Sequence, residues 1–118
     1  MPKVLIIDDE SAIREVLKIF LEEQGFDVST AADGKEALAI FHAECPEVVF
    51  LDLLLPERTG RDVLREIRES LPHTIVIVIT AFSEDEISSI IGPLHIQGVL
   101  RKPFRLEHVR KDILPKIA

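Results

Sequence analysis

Short apolar runs alternate with segments of helical periodicity along this chain, and the alternation restricts the fold more than any other feature. The runs at 4–7, 48–51 and 75–79 consist of Val, Ile, Leu and Phe alone. Strands this uniformly apolar are typical of a parallel sheet covered on both faces, and parallel neighbours need a crossover helix between them. The sequence therefore predicts an α/β fold with helices on both faces of one parallel sheet.

Five strands and five helices account for the pattern. Strands are predicted at 3–7, 26–30, 47–51, 74–79 and 98–100, and helices at 11–24, 35–44, 60–71, 84–91 and from residue 106 onward. The second strand alternates apolar and polar residues, which places it at an edge of the sheet. Gly92-Pro93 interrupts the pattern after the fourth helix. Because proline inside a helix costs about 3 kcal/mol, this helix is expected to be short, kinked or mobile.

Size and composition fit a single soluble domain over residues 1–118, since 47% of the residues are hydrophobic and 30% are charged. The net charge of −7 argues against direct nucleic acid binding. No apolar run approaches the roughly 20 residues that span a membrane, and the N-terminus shows no signal peptide pattern. Cys45 is the only cysteine and cannot form an internal disulfide, which favours a reducing, cytoplasmic location.

Residues able to do chemistry follow four of the predicted strands. Asp8-Asp9 follow the first strand, Asp52 the third and Thr80 the fourth, and Lys102 lies just beyond the fifth. In open α/β sheets the binding site forms outside the carboxyl ends of the strands. Three carboxylates, a hydroxyl and an ammonium group are therefore predicted to share one edge of the sheet.

The charges of this group predict a bound divalent cation. Carboxylates about 4 Å apart repel by roughly 4 kcal/mol at an effective dielectric constant of ~20. Lys102 offsets one of the three negative charges, and Mg²⁺, which prefers oxygen ligands, would cancel the remainder. Such a site suits phosphoryl transfer onto a carboxylate, with Asp52 as the covalent acceptor and with Lys102 and Thr80 on the phosphoryl oxygens.

Each residue also has a purely structural interpretation when taken alone. Asp8-Asp9 could cap the following helix, Asp52 could begin a turn, Thr80 could cap the fourth helix, and Lys102 could lie in a solvated loop. Their joint placement at strand ends favours a site. The histidines show no metal-ligand spacing and are interpreted as surface or partly buried residues rather than ligands: His42, His73, His95 and His108.

Four motifs, in this order, resemble the receiver domain of bacterial two-component response regulators, the CheY-like superfamily. They are Asp8-Asp9-Glu10, Asp52 to Pro56 with Gly60 following, Thr80-Ala81, and Lys102-Pro103-Phe104. The resemblance covers the whole chain. It implies a doubly wound, flavodoxin-like (βα)5 fold whose five-stranded parallel sheet has strand order 2-1-3-4-5.

The resemblance also implies a function. Asp52 would accept a phosphoryl group from the phosphohistidine of a sensor histidine kinase or a phosphotransfer protein, in a Mg²⁺-dependent reaction. Asp9 and Asp52 would bind Mg²⁺ directly, together with the Leu54 backbone carbonyl, and Asp8 would act through water. Such a domain is a signalling switch rather than an enzyme, although it assists its own phosphoryl transfer and slow autodephosphorylation.

Departures from the family pattern fall on the surface that receivers commonly use for output. Val99 stands where the family usually has Tyr or Phe, whose rotamer reports phosphorylation, and His95-Ile96 replace the usual Gly-Ala. With Gly92-Pro93, these changes fall on the face formed by helix 4, strand 5 and helix 5, through which a homodimer would form or an output partner would bind. The switch is then carried by Thr80 and backbone shifts alone, or is weakened. The sequence identifies neither the cognate kinase nor the output domain.

Leu54 and Phe82 flank the acceptor and are apolar. Their counterparts in the family influence how readily water reaches the acyl phosphate, so a long-lived phosphorylated state is predicted. Two other functions stay open at this point. A phosphate-independent pseudo-receiver would be a binding module only. An aspartyl-phosphate hydrolase of the haloacid dehalogenase type would need Asp-x-Asp at the nucleophile, whereas Leu54 stands two residues after Asp52.

Overall fold

The computed structural model describes residues 1–56 and 59–118, so residues 57 and 58 of the segment after Asp52 lie outside the described part. Five parallel strands form one sheet in the order β2-β1-β3-β4-β5. This order confirms the strand order that the resemblance implied, and β2 lies at an edge as its alternation predicted. The strands are β1 (Lys3–Ile7), β2 (Asp27–Ala31), β3 (Val48–Asp52), β4 (Ile75–Thr80) and β5 (Gly98–Arg101).

The helices cover both faces of the sheet, and two hydrophobic clusters lie between the layers. One cluster joins the sheet to α1 and the C-terminal helix, and the other joins it to α2, α3 and α4. Neighbouring strand residues point into opposite clusters, which explains why the central strands are apolar throughout. The first four helices are α1 (Ser11–Glu23), α2 (Gly34–Glu44), α3 (Gly60–Ser70) and α4 (Glu84–Ile91).

The C-terminal helix is not uniform, which its periodicity did not predict. It consists of α5 (Leu106–His108), a π-helical segment (Val109–Ile113) and α6 (Leu114–Ile117). Pro115 has no backbone N–H, so the carbonyl four residues earlier loses its α-helical donor and the hydrogen-bond pattern shifts. The predicted apolar stripe is otherwise confirmed, because Val109, Ile113 and Ile117 are buried.

The prediction of a short fourth helix is confirmed. Helix α4 has eight residues and buries only Ile87. Ser83 and Glu86 form a capping box at its start, and Gly92 ends it with φ of +54°. A positive φ favours glycine, and Pro93 cannot continue the helix. In the described ranges no helix combines the length and apolar character needed to cross a lipid bilayer.

Strands β2, β3 and β4 each begin and end one residue later than the strands predicted at 26–30, 47–51 and 74–79. Asp52 and Thr80 are therefore the last residues of their strands and not the first residues of loops. Backbone pairing continues through both positions, with Asp52 opposite Ile79 and Thr80 opposite Arg101. A polar side chain ends the apolar pattern, but it does not prevent its backbone from pairing with the neighbouring strand. The apolar pattern therefore ends one residue before the strand does.

Candidate functional site

The predicted site residues come together at the carboxyl edge of the sheet. Lys102 Nζ lies 2.9 Å from Asp8 Oδ2, 2.9 Å from Glu10 Oε1 and 3.2 Å from Asp52 Oδ2. The Lys102 N–H donates to the Thr80 carbonyl at 2.8 Å, which extends the pairing of β4 with β5 by one residue. A cavity of about 220 Å³ opens here and is lined by Asp9, Glu10, Asp52, Leu54, Thr80, Ala81, Phe82 and Lys102.

Asp52 is a buried carboxylate with only 5% of its surface exposed. Its Oδ1 accepts a hydrogen bond from the Leu54 N–H at 2.9 Å, and its Oδ2 accepts one from Lys102 at 3.2 Å. Burial, the largest cause, raises the pKa of Asp52, and the negative charge of Asp8 raises it further. The hydrogen bond from Leu54 and the positive charge of Lys102 lower it, but the net shift is upward. The site therefore disfavours the ionised form that a nucleophilic carboxylate needs, unless further positive charge is supplied.

The backbone next to Asp52 is fixed by a close approach of α3. A Cβ atom at Gly60 would lie 2.4 Å from Leu53 Cα and 2.7 Å from the Asp52 carbonyl oxygen. The Gly60 N–H also donates to the Leu53 carbonyl at 3.1 Å. Only glycine allows this contact, so its presence in the motif is a packing requirement that holds the acceptor strand end in place.

Asp8 is fully buried, and its environment differs from that of a helix cap. Its Oδ1 accepts from the Glu10 N–H at 2.9 Å, while Oδ2 has an ion pair with Lys102 but no hydrogen-bond partner. The N-cap residue of α1 is Glu10, whose side chain makes no capping hydrogen bond. Arg14 Nη1 donates to the Asp8 carbonyl at 2.7 Å and fixes the backbone there. The capping interpretation of the acidic pair is therefore wrong.

Thr80 is buried, with 2% of its surface exposed, and its hydroxyl lines the cavity. The Thr80 Oγ1 accepts a hydrogen bond from the Phe82 N–H at 3.1 Å. The cap of α4 is Ser83, so the alternative in which Thr80 caps that helix is wrong. A threonine hydroxyl can accept and donate together, so the proton of this hydroxyl stays available to a ligand.

Lys102 is the cation that the acidic residues share. Burial alone lowers its pKa, but the hydrogen bonds and ion pairs with Glu10, Asp8 and Asp52 outweigh burial and raise the pKa overall. The lysine is therefore firmly protonated. The prediction placed it near Asp8, Asp9 and Asp52 and missed Glu10, although the acidic residue directly after the pair was a visible signal.

The carboxylates fit a hard divalent cation. Oxygen atoms of Asp8, Asp9 and Glu10 lie within 4.8 Å of one another. With Asp52 the cluster has four carboxylates, of which those of Asp8, Glu10 and Asp52 lie within 3.2 Å of the Lys102 ammonium group. These five side chains carry a formal charge of −3. The buried Asp8 Oδ2 without a hydrogen-bond partner is a further sign that positive charge fits here.

The histidines lie apart from this cluster. In the described ranges, Asp8, Asp9 and Glu10 form the one group of three side chains placed to hold a metal ion. His73, His95 and His108 are exposed, as is His42, which contacts Glu66 between α2 and α3. None of them belongs to a metal-binding group in that part of the chain.

A parallel sheet of order 2-1-3-4-5 with an acidic pair, a buried aspartate, a threonine and a lysine at its carboxyl edge defines the receiver class of signalling domain. The model of the response regulator receiver domain family matches residues 4–114. The chain therefore belongs to the response regulator receiver domain family.

Solved structures agree with this assignment. The chemotaxis protein CheY4 from Vibrio cholerae is 31% identical with a TM-score of 0.90, over 100% of this chain and 99% of that one. A response regulator receiver domain protein from Clostridium thermocellum is 34% identical with a TM-score of 0.86, over 99% and 94%. The response regulator TrrA from Thermotoga maritima, in complex with Mg²⁺-BeF, is 31% identical with a TM-score of 0.83, over 98% and 99%.

An arginine that the sequence did not single out holds the segment after α4. Arg68 Nε donates to the His95 carbonyl at 2.8 Å, and Arg68 Nη1 donates to the Thr74 carbonyl at 2.6 Å. Its Nη2 donates at 3.0 Å to Gln97 Oε1, which also accepts from the Val76 N–H at 2.7 Å. Helix α3 is thereby joined to the start of β4 and to the segment between α4 and β5.

Proposed function

We propose that this chain is a phosphorylation-switched signalling receiver in which Asp52 accepts a phosphoryl group. The donor would be the phosphohistidine of a sensor histidine kinase or a phosphotransfer protein. The observation that carries the proposal is the buried Asp52 carboxylate, 3.2 Å from the Lys102 ammonium group in an open cavity that Thr80 also lines. Family membership supports a signalling role of this kind.

The chemistry is a single displacement at phosphorus. An Asp52 carboxylate oxygen forms the new P–O bond, the P–N bond to the donor imidazole breaks, and the nitrogen keeps the bonding electron pair. Charge in the transition state is spread over the three equatorial phosphoryl oxygens, so catalysis consists of positioning and charge stabilisation. Lys102 would pair with one of these oxygens, and the Thr80 hydroxyl would donate its proton to another.

Asp9, Asp52 and the Leu54 backbone carbonyl are proposed to hold Mg²⁺, with Asp8 acting through water. When bound, the ion would neutralise the carboxylates and polarise a phosphoryl oxygen. Support comes from the excess of four carboxylates over one ammonium group in this cluster and from the Mg²⁺-BeF complex of the related TrrA protein. The raised pKa of Asp52 also supports this, because additional positive charge nearby would favour the ionised carboxylate.

The proposal extends to the domain organisation, location and assembly of the protein. Residues 1–118 would form a single receiver domain located in the cytoplasm, with no direct contact to nucleic acid or membrane. It would act as a switch that assists its own phosphorylation and slow autodephosphorylation, and not as an enzyme on a separate substrate. A homodimer through α4, β5 and the C-terminal helix is compatible with the partly exposed Val99 on that face.

The test is intact mass spectrometry after incubation with acetyl phosphate, with and without Mg²⁺, on the wild type and on Asp52→Asn. We expect one phosphate adduct that requires both Mg²⁺ and Asp52. Asn keeps the size of the side chain and removes the nucleophilic carboxylate, so it is the matched control. A folded wild-type protein that gains no adduct would exclude the proposal and favour the phosphate-independent binding module.

A further inference from the structure

Glu10 contributes an ion pair to the site that the proposed chemistry does not use. Its Oε1 accepts a hydrogen bond from Lys102 Nζ at 2.9 Å, across 92 positions of sequence. The Glu10 side chain is 59% exposed, whereas that of Lys102 is 15% exposed and that of Asp8 is fully buried. Glu10 therefore forms the solvent-facing rim of the cavity, and Lys102 lies behind it.

The ammonium group of Lys102 is surrounded by carboxylates in this arrangement. An ammonium group has three N–H donors. Three carboxylates lie within 3.2 Å of Lys102 Nζ, and those of Glu10 and Asp52 meet it with hydrogen-bond geometry. A phosphoryl group on Asp52 would therefore compete with the Asp8 and Glu10 carboxylates for this ammonium group.

The three contacts differ in how easily they can be released. Asp8 is buried and fixed through its hydrogen bond from the Glu10 N–H. Asp52 is the residue that receives the phosphoryl group, so its own negative charge is replaced by the phosphoryl oxygens. Glu10 is the remaining partner, and its carboxylate lines the cavity that an anionic donor would enter.

We infer that Glu10 is a positioning residue that acts through Lys102: it restrains the ammonium group in the resting arrangement, faces the incoming donor with a like charge, and so slows phosphorylation of Asp52. This inference rests on the proposed function. The same carboxylate adds negative charge beside Asp8 and Asp9, so it also favours cation binding. Removing the charge is thus expected to act in opposite directions on the two steps.

The experiment follows the rate of phosphate adduct formation by intact mass spectrometry with acetyl phosphate at saturating Mg²⁺. Glu10→Gln removes the charge with little change in size, and we expect the rate to rise about three- to tenfold. The increase should shrink as salt is raised, because screening weakens repulsion at an exposed rim. Glu10→Asp keeps a carboxylate at the rim but shortens its reach to Lys102, so its rate should lie between those of the wild type and Glu10→Gln.

Two controls separate this effect from structural disturbance. Glu22→Gln makes the same charge change on α1, about 18 Å further along the chain at 1.5 Å per residue, and should leave the rate unchanged. Mg²⁺ affinity is measured by isothermal titration calorimetry, because the chain has no Trp or Tyr to report by fluorescence. For Glu10→Gln we expect weaker Mg²⁺ binding together with faster phosphorylation. A structurally disturbed site would instead show weaker Mg²⁺ binding and slower phosphorylation.

A Glu10→Gln rate equal to or below that of the wild type at saturating Mg²⁺ would overturn the inference. An increase for Glu10→Gln that does not shrink as salt is raised would also overturn it, because the cause would then be packing and not charge. In both cases a wild type that gains phosphate on Asp52 leaves the proposed function intact. A wild type that gains none would overturn the proposed function and this inference together.

Discussion

Gly60→Ala tests whether the close contact between α3 and the end of β3 positions the acceptor. The added Cβ would lie 2.4 Å from Leu53 Cα, 2.7 Å from the Asp52 carbonyl oxygen and 2.9 Å from Leu53 C. All three are backbone atoms, so no side-chain rotation relieves the overlap and the helix start or the strand end must shift. Because overpacking typically costs 1–3 kcal/mol and this clash involves backbone, we expect a loss of about 2–4 kcal/mol in the free energy of unfolding.

Urea denaturation measures this loss, with Gly25→Ala as the matched control. A Cβ at Gly25 meets nothing within 4 Å, but its φ of +96° is strained for alanine, so a smaller loss of about 1–2 kcal/mol is expected there. Alanine is otherwise favoured over glycine in helices by about 1 kcal/mol, so without the clash Gly60→Ala would be neutral or stabilising. A Gly60→Ala variant as stable as the wild type would refute the reasoning.

Three further predictions follow from individual contacts. Arg68→Lys should lower the free energy of unfolding by about 1–3 kcal/mol, because a lysine ammonium group cannot replace four directed hydrogen bonds. An unchanged midpoint of urea denaturation would contradict this. Leu54→Asn and Phe82→Glu should each shorten the lifetime of the phosphate adduct several-fold, because a polar group at the cavity rim can orient water; an equal lifetime would exclude a water-excluding role. Asp52 has a folded-state pKa raised by burial above its unfolded value, so its contribution to stability falls as pH rises through that interval. Without Mg²⁺, Asp52→Asn should therefore stabilise the protein at neutral pH and lose this advantage in acid, measured by urea denaturation at both pH values.

The sequence predicted the features that are visible in local periodicity or in the residues at the ends of strands. Uniform apolar runs predicted strands buried on both faces, and the residues after them predicted the convergence of Asp8, Asp52 and Lys102. Other contacts between distant positions were missed: the position of Glu10 beside the acidic pair was a signal that was not used, whereas nothing in the local pattern marks the partners of Arg68. Glu10 and Lys102 are 92 residues apart, and Arg68 and Gln97 are 29 apart. The strand ends moved by one residue for a related reason, since backbone pairing continues where the apolar pattern has stopped.

Thr80 links the proposed site to α4 without an aromatic residue on β5. Its Oγ1 holds the Phe82 N–H at 3.1 Å, and Ser83, the next residue, caps α4. Because the hydroxyl can donate while it accepts, a Thr80 side chain drawn toward a phosphoryl group would carry the Phe82 backbone with it. Helix α4 is short and buries little, so it offers small resistance at that end, while Arg68 holds the segment that follows it. With Val99 on β5, we expect a displacement that starts at Thr80 to reach the proposed output face through the N-terminus of α4.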